Sequence, residues 1–328
     1  MQLSFKLFRT ALILFLLVAV NSISKATLYN INVPVNAAQE VPTNASVGTA
    51  TLTGTYDDVT NVLNFTFVFS GLTGNTTASH FHGPAAVGVN AGVRIGNTGF
   101  QTGVTSGSYS NTFVLTASNE TELLTNLWYL NIHTSSFGGG EIRGQVYAVP
   151  VTVLKLTTLL EGFYDDGADL SIRDTITVNL REVSSPYNLV ESKKVYMKTN
   201  GDDTVKYLNA TNGTNYYLQL EHRNALETWS GGTIMFAGYS GGYDFSTNDA
   251  QAFGSNQVLK GSRYCLYSGD ANSDGIVDIN DLSDIDNDAF NFAGGYVVTD
   301  INGDNFIDLN DLSICDNNAA NFVSVIAP

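Results

Sequence analysis

Apolar and polar residues alternate with a period of two over much of the N-terminal half of the chain. Because successive side chains of a β-strand point to opposite faces, this alternation predicts strands with one buried face. The predicted strands of this part are residues 48–56, 62–70, 78–82, 108–115, 127–133 and 141–149. Short strands separated by turn signals predict an antiparallel β-sandwich or barrel, which we assign to residues 27–149.

A second set of alternating segments follows Val149-Pro150-Val151, where we place a domain boundary. The predicted strands of this set are residues 153–160, 174–180, 193–197, 204–208 and 216–221. Turn sequences such as Asp165-Asp166-Gly167 separate them. We therefore predict a second antiparallel β-sandwich, a domain of unknown function, over residues 150–268.

The C-terminal segment carries a different pattern, in which Leu282, Ile285 and Ala289 recur at helical spacing. Residues 270–292 and 300–322 align without gaps and are identical at 13 of 23 positions. A disordered acidic tail would not keep its apolar residues in register across two copies. The predicted fold is therefore mainly β, with two antiparallel β-sandwich or barrel-like domains followed by a small α-helical domain.

Each copy of this repeat opens with a loop that places side-chain oxygens at positions 1, 3, 5, 9 and 12. The first loop offers Asp270, Asn272, Asp274, Asp278 and Asp281 with the carbonyl of Ile276, and the second offers Asp300, Asn302, Asp304, Asp308 and Asp311 with the carbonyl of Phe306. Calcium takes six to eight oxygen ligands, and this spacing wraps one loop around one ion. The sixth position needs a sharp turn, which Gly275 and Asn305 both allow. We therefore predict two bound calcium ions.

The loop–helix pair, residues 269–328, resembles a type I dockerin domain. It departs from calmodulin-like EF-hands because position 12 is aspartate in both loops rather than glutamate. The resemblance implies docking to a cohesin-like partner, although the pair could instead serve only as a calcium-stiffened end. Because the clustered carboxylates would repel one another without metal, we expect calcium to be a condition of folding here.

Several short motifs of the first domain occur together and in one order. They are Gln39-Glu40-Val41-Pro42, the HFHGPA stretch that begins at His80, and YLNIHT followed by GEIRGQ. Together they resemble a CHRD (chordin-type) domain, which implies a small extracellular β-domain without a defined molecular activity. The middle domain resembles modules that precede dockerin-like repeats in secreted proteins of Bacteroidetes-type bacteria.

Three of the four histidines lie in the first domain. Period-two alternation puts His80 and His82 on one strand face, and a simple hairpin pairs His133 with Glu141 and brings Arg143 to the same face. Three imidazoles are enough for a copper or zinc site. The same residues also fit a structural network in which His133 pairs with Glu141 and Arg143 bridges neighbouring strands. The sequence leaves both interpretations open.

Of the two cysteines, Cys265 lies just before the first calcium loop and Cys315 lies in the predicted helix after the second. An exported protein can keep a disulfide, because the compartment outside the cell is oxidising. We therefore predict a bridge between them that would clasp the two ends of the loop–helix pair.

The N-terminus predicts export. Lys6 and Arg9 precede an apolar run at residues 11–20, and Ser24-Lys25-Ala26 offers a cleavage site, so residues 1–26 are interpreted as a signal peptide. The net charge of −16 argues against nucleic acid as a partner. We expect a secreted bacterial protein, extracellular or at the cell surface, with no transmembrane anchor.

No catalytic residues are predicted. The cluster Glu221-His222-Arg223 ends a predicted strand and is typical of a structural polar network. The leading hypothesis is a non-catalytic adhesion or scaffold-associated protein in a polysaccharide-degrading or cell-surface assembly, whose β-domains bind a glycan or a protein. The alternative is a transition-metal-dependent enzyme or metal carrier that uses the histidines of the first domain.

Overall fold

The computed structural model describes residues 28–328, and the predicted signal peptide lies outside the described residues. This part of the chain is mainly β, with a small helical pair at its C-terminal end, so the predicted fold class is confirmed at that level. No helix within residues 28–328 combines the length and the apolar character needed to cross a bilayer.

The first domain is built on one antiparallel sheet of nine strands. The strands are β1 (Leu28–Asn36), β2 (Thr49–Asp57), β3 (Val62–Ser70), β4 (Thr76–His82), β5 (Val93–Gly96), β6 (Gly107–Val114), β7 (Tyr129–Thr134), β8 (Ile142–Gln145) and β9 (Val149–Pro150). Their order in the sheet is β5-β4-β7-β8-β1-β2-β3-β6, and β9 pairs with β1. A 3-10 helix (Ala37–Gln39) follows β1, and the helix α1 (Ala117–Leu124) connects β6 to β7.

This sheet curls around a single apolar core. Leu52 of β2 and Phe67 of β3 are buried in the same cluster as Trp128 and Ile132 at the other end of the sheet. Burying a large apolar side chain contributes about 1.5–3 kcal/mol, which accounts for the strict alternation along these strands. The domain predicted as a sandwich or barrel is thus one curled sheet whose inner face encloses the apolar core.

The middle domain begins directly after β9 and contains two larger sheets. Its strands are β10 (Thr152–Thr157), β11 (Tyr164–Asp165), β12 (Leu170–Ser171), β13 (Thr175–Arg181), β14 (Leu189–Tyr196), β15 (Asp202–Tyr207), β16 (Asn215–Glu221), β17 (Thr228–Trp229), β18 (Ile234–Met235), β19 (Ser240–Asp244), β20 (Val258–Lys260) and β21 (Arg263–Cys265). Two 3-10 helices, Asp249–Gln251 and Phe253–Ser255, follow β19. One sheet has the order β15-β10-β19 and the other β14-β13-β16-β17, with β18 also paired to β16.

One pairing in this domain contradicts the prediction of a purely antiparallel sandwich. Strands β10 and β19 run parallel, with Val153 opposite Ser240 and Thr157 opposite Asp244. Parallel strands need a long crossover connection, so no hairpin turn in the sequence predicts this pairing. The two larger sheets nevertheless share one apolar core, which includes Leu156, Val178 and Leu218.

The C-terminal part forms the two predicted helices, α2 (Ile279–Phe290) and α3 (Leu309–Ala320). Asp278 and Asp308 cap them, each in a capping box completed by the aspartate three residues later. Isolated bridges join Ile276 to Ser324 and Phe306 to Gly294. Both bridges obey the 30-residue offset between the two copies of the repeat, so the pair is closely two-fold symmetric.

The predicted disulfide is absent from the described residues, where both cysteines are free thiols. Cys265 packs with Leu159 and Tyr164, whereas Cys315 lies in the apolar cluster between the two helices and its thiol contacts the carbonyl of Gly269. Burial raises the pKa of each thiol to about 12. The prediction was wrong because the two residues belong to different cores.

Candidate functional site

The first predicted calcium loop folds around its two end carboxylates. Asp281 Oδ1 accepts hydrogen bonds from the backbone N–H groups of Ala271 and Asn272, at 2.9 and 3.1 Å, and Asp281 Oδ2 accepts one from Asp278 at 2.9 Å. Asp270 accepts from the backbone of Asp274 at 3.1 Å. The first and last aspartates of the loop therefore both point inward.

The second loop repeats this arrangement. Asp311 accepts from the backbone N–H groups of Ile301 and Asn302 at 2.8 and 3.1 Å, and from that of Asp308 at 2.9 Å. Asp300 accepts from Asn305 at 3.3 Å. The sixth residue is in the left-handed region in both loops, with φ of 87° at Gly275 and 70° at Asn305, as predicted.

The end carboxylates of both loops are buried, although water would solvate them better than this environment does. Burial and the charge of Asp281 raise the pKa of Asp270 to about 6. Burial also raises the pKa values of Asp281, Asp300 and Asp311. A hard cation coordinated by these oxygens would offset the cost of burying the ionised carboxylates, because it supplies the missing positive charge.

The second loop is attached to the middle domain through its first ligand position. Asn224 Nδ2 donates to the backbone oxygen of Asp300 at 2.6 Å, and Arg223 Nη2 lies 3.5 Å from Asp300 Oδ2. Arg223 also donates to the carbonyl of Val297. The loop–helix pair is therefore docked on the end of strand β16 rather than tethered by a free linker.

A polar network lies next to this contact. Of its members, only His222 and Arg223 were noted from the sequence. Asp174 Oδ2 accepts from Arg223 Nε at 2.8 Å and lies 3.2 Å from His222 Nε2, and Asp174 Oδ1 accepts from the Tyr296 hydroxyl at 2.7 Å. Although burial opposes ionisation, hydrogen bonds from His222 and Arg223 hold the pKa of Asp174 well below its usual range. No local motif links residues so far apart in the sequence.

A Gly162→Ala substitution is expected to separate the loop–helix pair from the middle domain. A Cβ at Gly162 would lie 2.1 Å from the backbone oxygen of Ile301, which must then move away. We expect faster limited proteolysis between the middle domain and the first loop, and weaker protection of α3 in hydrogen exchange. Gly232→Ala is the matched control, since a Cβ there meets nothing within 4 Å. Equal proteolysis of the two variants would show that this contact is not part of the interface.

The three histidines of the first domain come together as the alternation predicts. His80 and His82 lie on β4, where His82 is opposite Tyr129 of β7, and His133 follows on β7 opposite Ala78. One potential ligand nitrogen from each histidine lies within 4.8 Å of the other two, and no other such group of His, Cys, Asp or Glu donors occurs within residues 28–328. We call His80, His82 and His133 the histidine triad.

Hydrogen bonds fix the ring orientations in the histidine triad. His82 Nδ1 lies 3.0 Å from the carbonyl of Ala91, and His133 Nδ1 lies 3.0 Å from the carbonyl of Gly138. His80 Nδ1 faces His133 Nε2 at 3.2 Å. Burial lowers the pKa of all three imidazoles, so their neutral forms are favoured.

Glu141 does not join the histidine triad, although the predicted hairpin register is confirmed. Tyr129 pairs with Gln145 and Ile132 with Ile142. The Glu141 carboxylate instead accepts from Thr134 Oγ1 at 2.6 Å, from Ser46 Oγ before β2, and from the backbone N–H groups of Thr73 and Gly74 after β3. Pairing of Glu141 with His133, as in the predicted polar network, is therefore not formed.

Arg143 lies on the same outer face but is fully buried under the loop at residues 84–92. Its guanidinium donates to the carbonyl of Val89 at 2.9 Å and to Asn90 Oδ1 at 3.2 Å, and it lies 3.5 Å from the ring centroid of Tyr129. His82 stacks against the same ring, at 4.9 Å between centroids. Arg143 therefore anchors a covering loop, and through Tyr129 it supports His82.

Glu40 is a second buried carboxylate, and from the sequence it was noted only as part of the family motif. Burial raises the pKa of Glu40 to about 7, against the opposing effects of Arg143 and of a hydrogen bond from Asn131. Glu40 Oε1 has no hydrogen-bond partner. The covering loops thus enclose a charged layer on the outside of the sheet, which is rare in a domain with an apolar core.

Residues 238–242 read Gly-Tyr-Ser-Gly-Gly and match the spacing of a hydrolase nucleophile elbow. That motif needs a turn between a strand and a helix, with the serine at its tip. Here Ser240 opens β19 after a tight turn at Tyr239, and no helix follows it directly. The geometry therefore gives Ser240 no catalytic role.

The curled sheet with its loop-covered polar face accounts for the motifs noted in the first domain. Residues 31–146 match the family model of the CHRD domain, so this part of the resemblance is confirmed. The match indicates a domain of the binding type. Comparisons with curated proteins and with solved structures found no match.

Proposed function

We propose that the chain is a secreted, non-catalytic binding protein whose C-terminal loop–helix pair is a dockerin-like module that takes two calcium ions. One observation carries the proposal. The two loops have the same pattern of hydrogen bonds around buried carboxylates that point inward. Asp281 and Asp311 have the same backbone donors in the two copies, displaced by 30 residues.

The remaining ligand positions support this assignment. Asn272 and Asp274 of the first loop, and their counterparts Asn302 and Asp304, are tied to the loop backbone through one oxygen each. Each of these side chains keeps further acceptor lone pairs for an ion. Oxygen donors alone suit calcium better than a soft transition metal.

The CHRD domain and the middle domain would present the binding surfaces, with a glycan or a protein of the cell surface as ligand. The dockerin-like module would attach the chain to a cohesin-like partner. Its attachment to the middle domain through Asn224 and Arg223 makes this end of the molecule one unit, so docking would orient the β-domains as well as hold them.

The test is a calcium titration of the chelator-treated full chain by calorimetry, followed by hydrogen exchange. We expect two calcium ions per chain, and strong new protection in α2 and α3 when calcium is added. Magnesium is the control ion, since it prefers a smaller octahedral site with several waters. Binding of fewer than two calcium ions, or equal protection of the helices with and without calcium, would overturn the proposal.

A further inference from the structure

We propose that the histidine triad is a site for one late first-row divalent metal ion, zinc or copper, on the outer face of the CHRD domain. This site is separate from the predicted calcium loops in position, in donor type and in domain. The inference therefore does not depend on the proposed function of the C-terminal module.

The lone pairs of two of the three rings have a defined direction. The Nδ1 atoms of His82 and His133 each lie 3.0 Å from a backbone carbonyl, which can only accept, so these nitrogens carry the proton. The Nε2 atoms of both rings are then unprotonated. Metal-binding histidines commonly donate their second ring nitrogen to such a carbonyl, which fixes tautomer and orientation.

One of these unprotonated nitrogens is a buried acceptor without a donor. His82 is 9% exposed, and its Nε2 atom has no hydrogen-bond partner. A buried polar atom without a partner costs about 1–3 kcal/mol. A metal ion bound at Nε2 would remove this cost, and the stacking of His82 on Tyr129 already holds the ring in place.

The spacing of the nitrogens suits a single tetrahedral ion. Two ligands about 2.05 Å from a tetrahedral ion lie about 3.3 Å apart. His80 Nδ1 and His133 Nε2 are 3.2 Å apart, which fits that distance. Since all three nitrogens lie within 4.8 Å, small rotations of the partly exposed His80 and His133 rings would complete three ligands around one ion.

The class of metal follows from the donors. Imidazole nitrogen suits zinc, copper and nickel and is a poor match for calcium or magnesium. Three protein ligands leave a fourth position for water or another small ligand. Because His80 and His133 are partly exposed, that position faces solvent.

The test uses the purified, untagged full chain, saturated with calcium so that the acidic loops do not compete for the added metal. Zinc and copper are each titrated by calorimetry, and we expect one ion per chain. His80→Gln should weaken binding by at least about 100-fold, because loss of a ligand exceeds the 10–100-fold effect of losing its supporting contacts. His80 is partly exposed, so this variant is expected to fold.

His222→Gln is the control variant, since it removes the one histidine of the middle domain and leaves the triad intact. It should bind zinc or copper as tightly as the wild type. A second variant, His133→Gln, should lose binding as His80→Gln does, with calcium stoichiometry unchanged in both. The inference fails if the wild type does not take one ion per chain, or if His80→Gln binds the metal with wild-type affinity. In that case the His80–His133 contact is a direct hydrogen bond.

Discussion

Replacing Asp281 and Asp311 together by alanine is expected to unfold residues 270–322 while both β-domains stay folded. Each carboxylate accepts three backbone N–H groups in its loop. One donor of each set is buried and costs about 1–3 kcal/mol when left without a partner, and two part-buried hydrogen bonds to the carboxylate are lost as well, even before calcium is considered.

If the loops bind calcium as proposed, its loss would add to this effect. An ion that binds only the folded state stabilises it by about 2.7 kcal/mol at a concentration 100 times its Kd, and the variant would lose this contribution at both sites. The helices are short and depend on these loops for their capping boxes. We therefore expect the double variant to lose protection in α2 and α3 at saturating calcium, measured by hydrogen exchange.

Asp286→Ala combined with Asp316→Ala is the matched control. These aspartates occupy equivalent positions of the two helices, and both are exposed. The control therefore removes the same charge from the same elements without touching the loops, and it should keep calcium binding and protection. If Asp281→Ala/Asp311→Ala resists proteolysis in calcium as well as this control does, the coordination scheme is wrong.

Strand positions could be predicted from the sequence where one face of a strand is buried. Residues 62–70 were predicted and observed as β3, because four aromatic or aliphatic side chains of that strand alternate into one core. The register of β7 with β8 also followed from alternation, since a shift by one residue would have turned the polar side chains into the apolar core. Strand β1 was missed, although Ile31, Val33 and Val35 carry the same signal.

Contacts between distant segments could not be predicted in this way. The parallel pairing of β10 with β19, the docking of Asp300 on Asn224, and the separate cores of the cysteines each join residues with no shared local pattern. The direction of Glu141 depends on Ser46 and Thr134, which the hairpin alone does not place. Local periodicity determines which face a residue occupies, whereas its partner depends on the tertiary fold.

The largest expected effect in the first domain is that of Arg143→Met. Methionine is long enough to fill part of the space over Tyr129 but cannot donate to the carbonyl of Val89. A hydrogen bond from a charged group contributes about 1.5–3 kcal/mol, and methionine loses those that Arg143 makes to Val89 and Asn90. The charge of Arg143 also lowers the pKa of the buried Glu40, so its removal makes ionisation of that carboxylate more costly. We expect weaker hydrogen-exchange protection of β7 and β8.

The pH dependence distinguishes this mechanism from a simple packing loss. The pKa of Glu40 is about 7 in the folded protein and about 4.3 in an unfolded chain, so its contribution to stability is present below the lower value and is lost as pH rises towards the upper one. Arg143→Met should raise the folded pKa further, so the variant should be more destabilised at pH 8 than at pH 5.

Two further variants test the electrostatic coupling between Arg143 and Glu40. In the double variant Glu40→Gln/Arg143→Met, removing the buried carboxylate should restore part of the protection at pH 8, and the coupling between the two changes should be small at pH 5. Arg94→Met is the matched control, because Arg94 forms a partly exposed ion pair with Glu122 that contributes less than about 1 kcal/mol. If Arg143→Met were equally destabilised at both pH values, with no rescue by Glu40→Gln, Arg143 would act only by anchoring the covering loop through Val89 and Asn90, and not by compensating the buried charge.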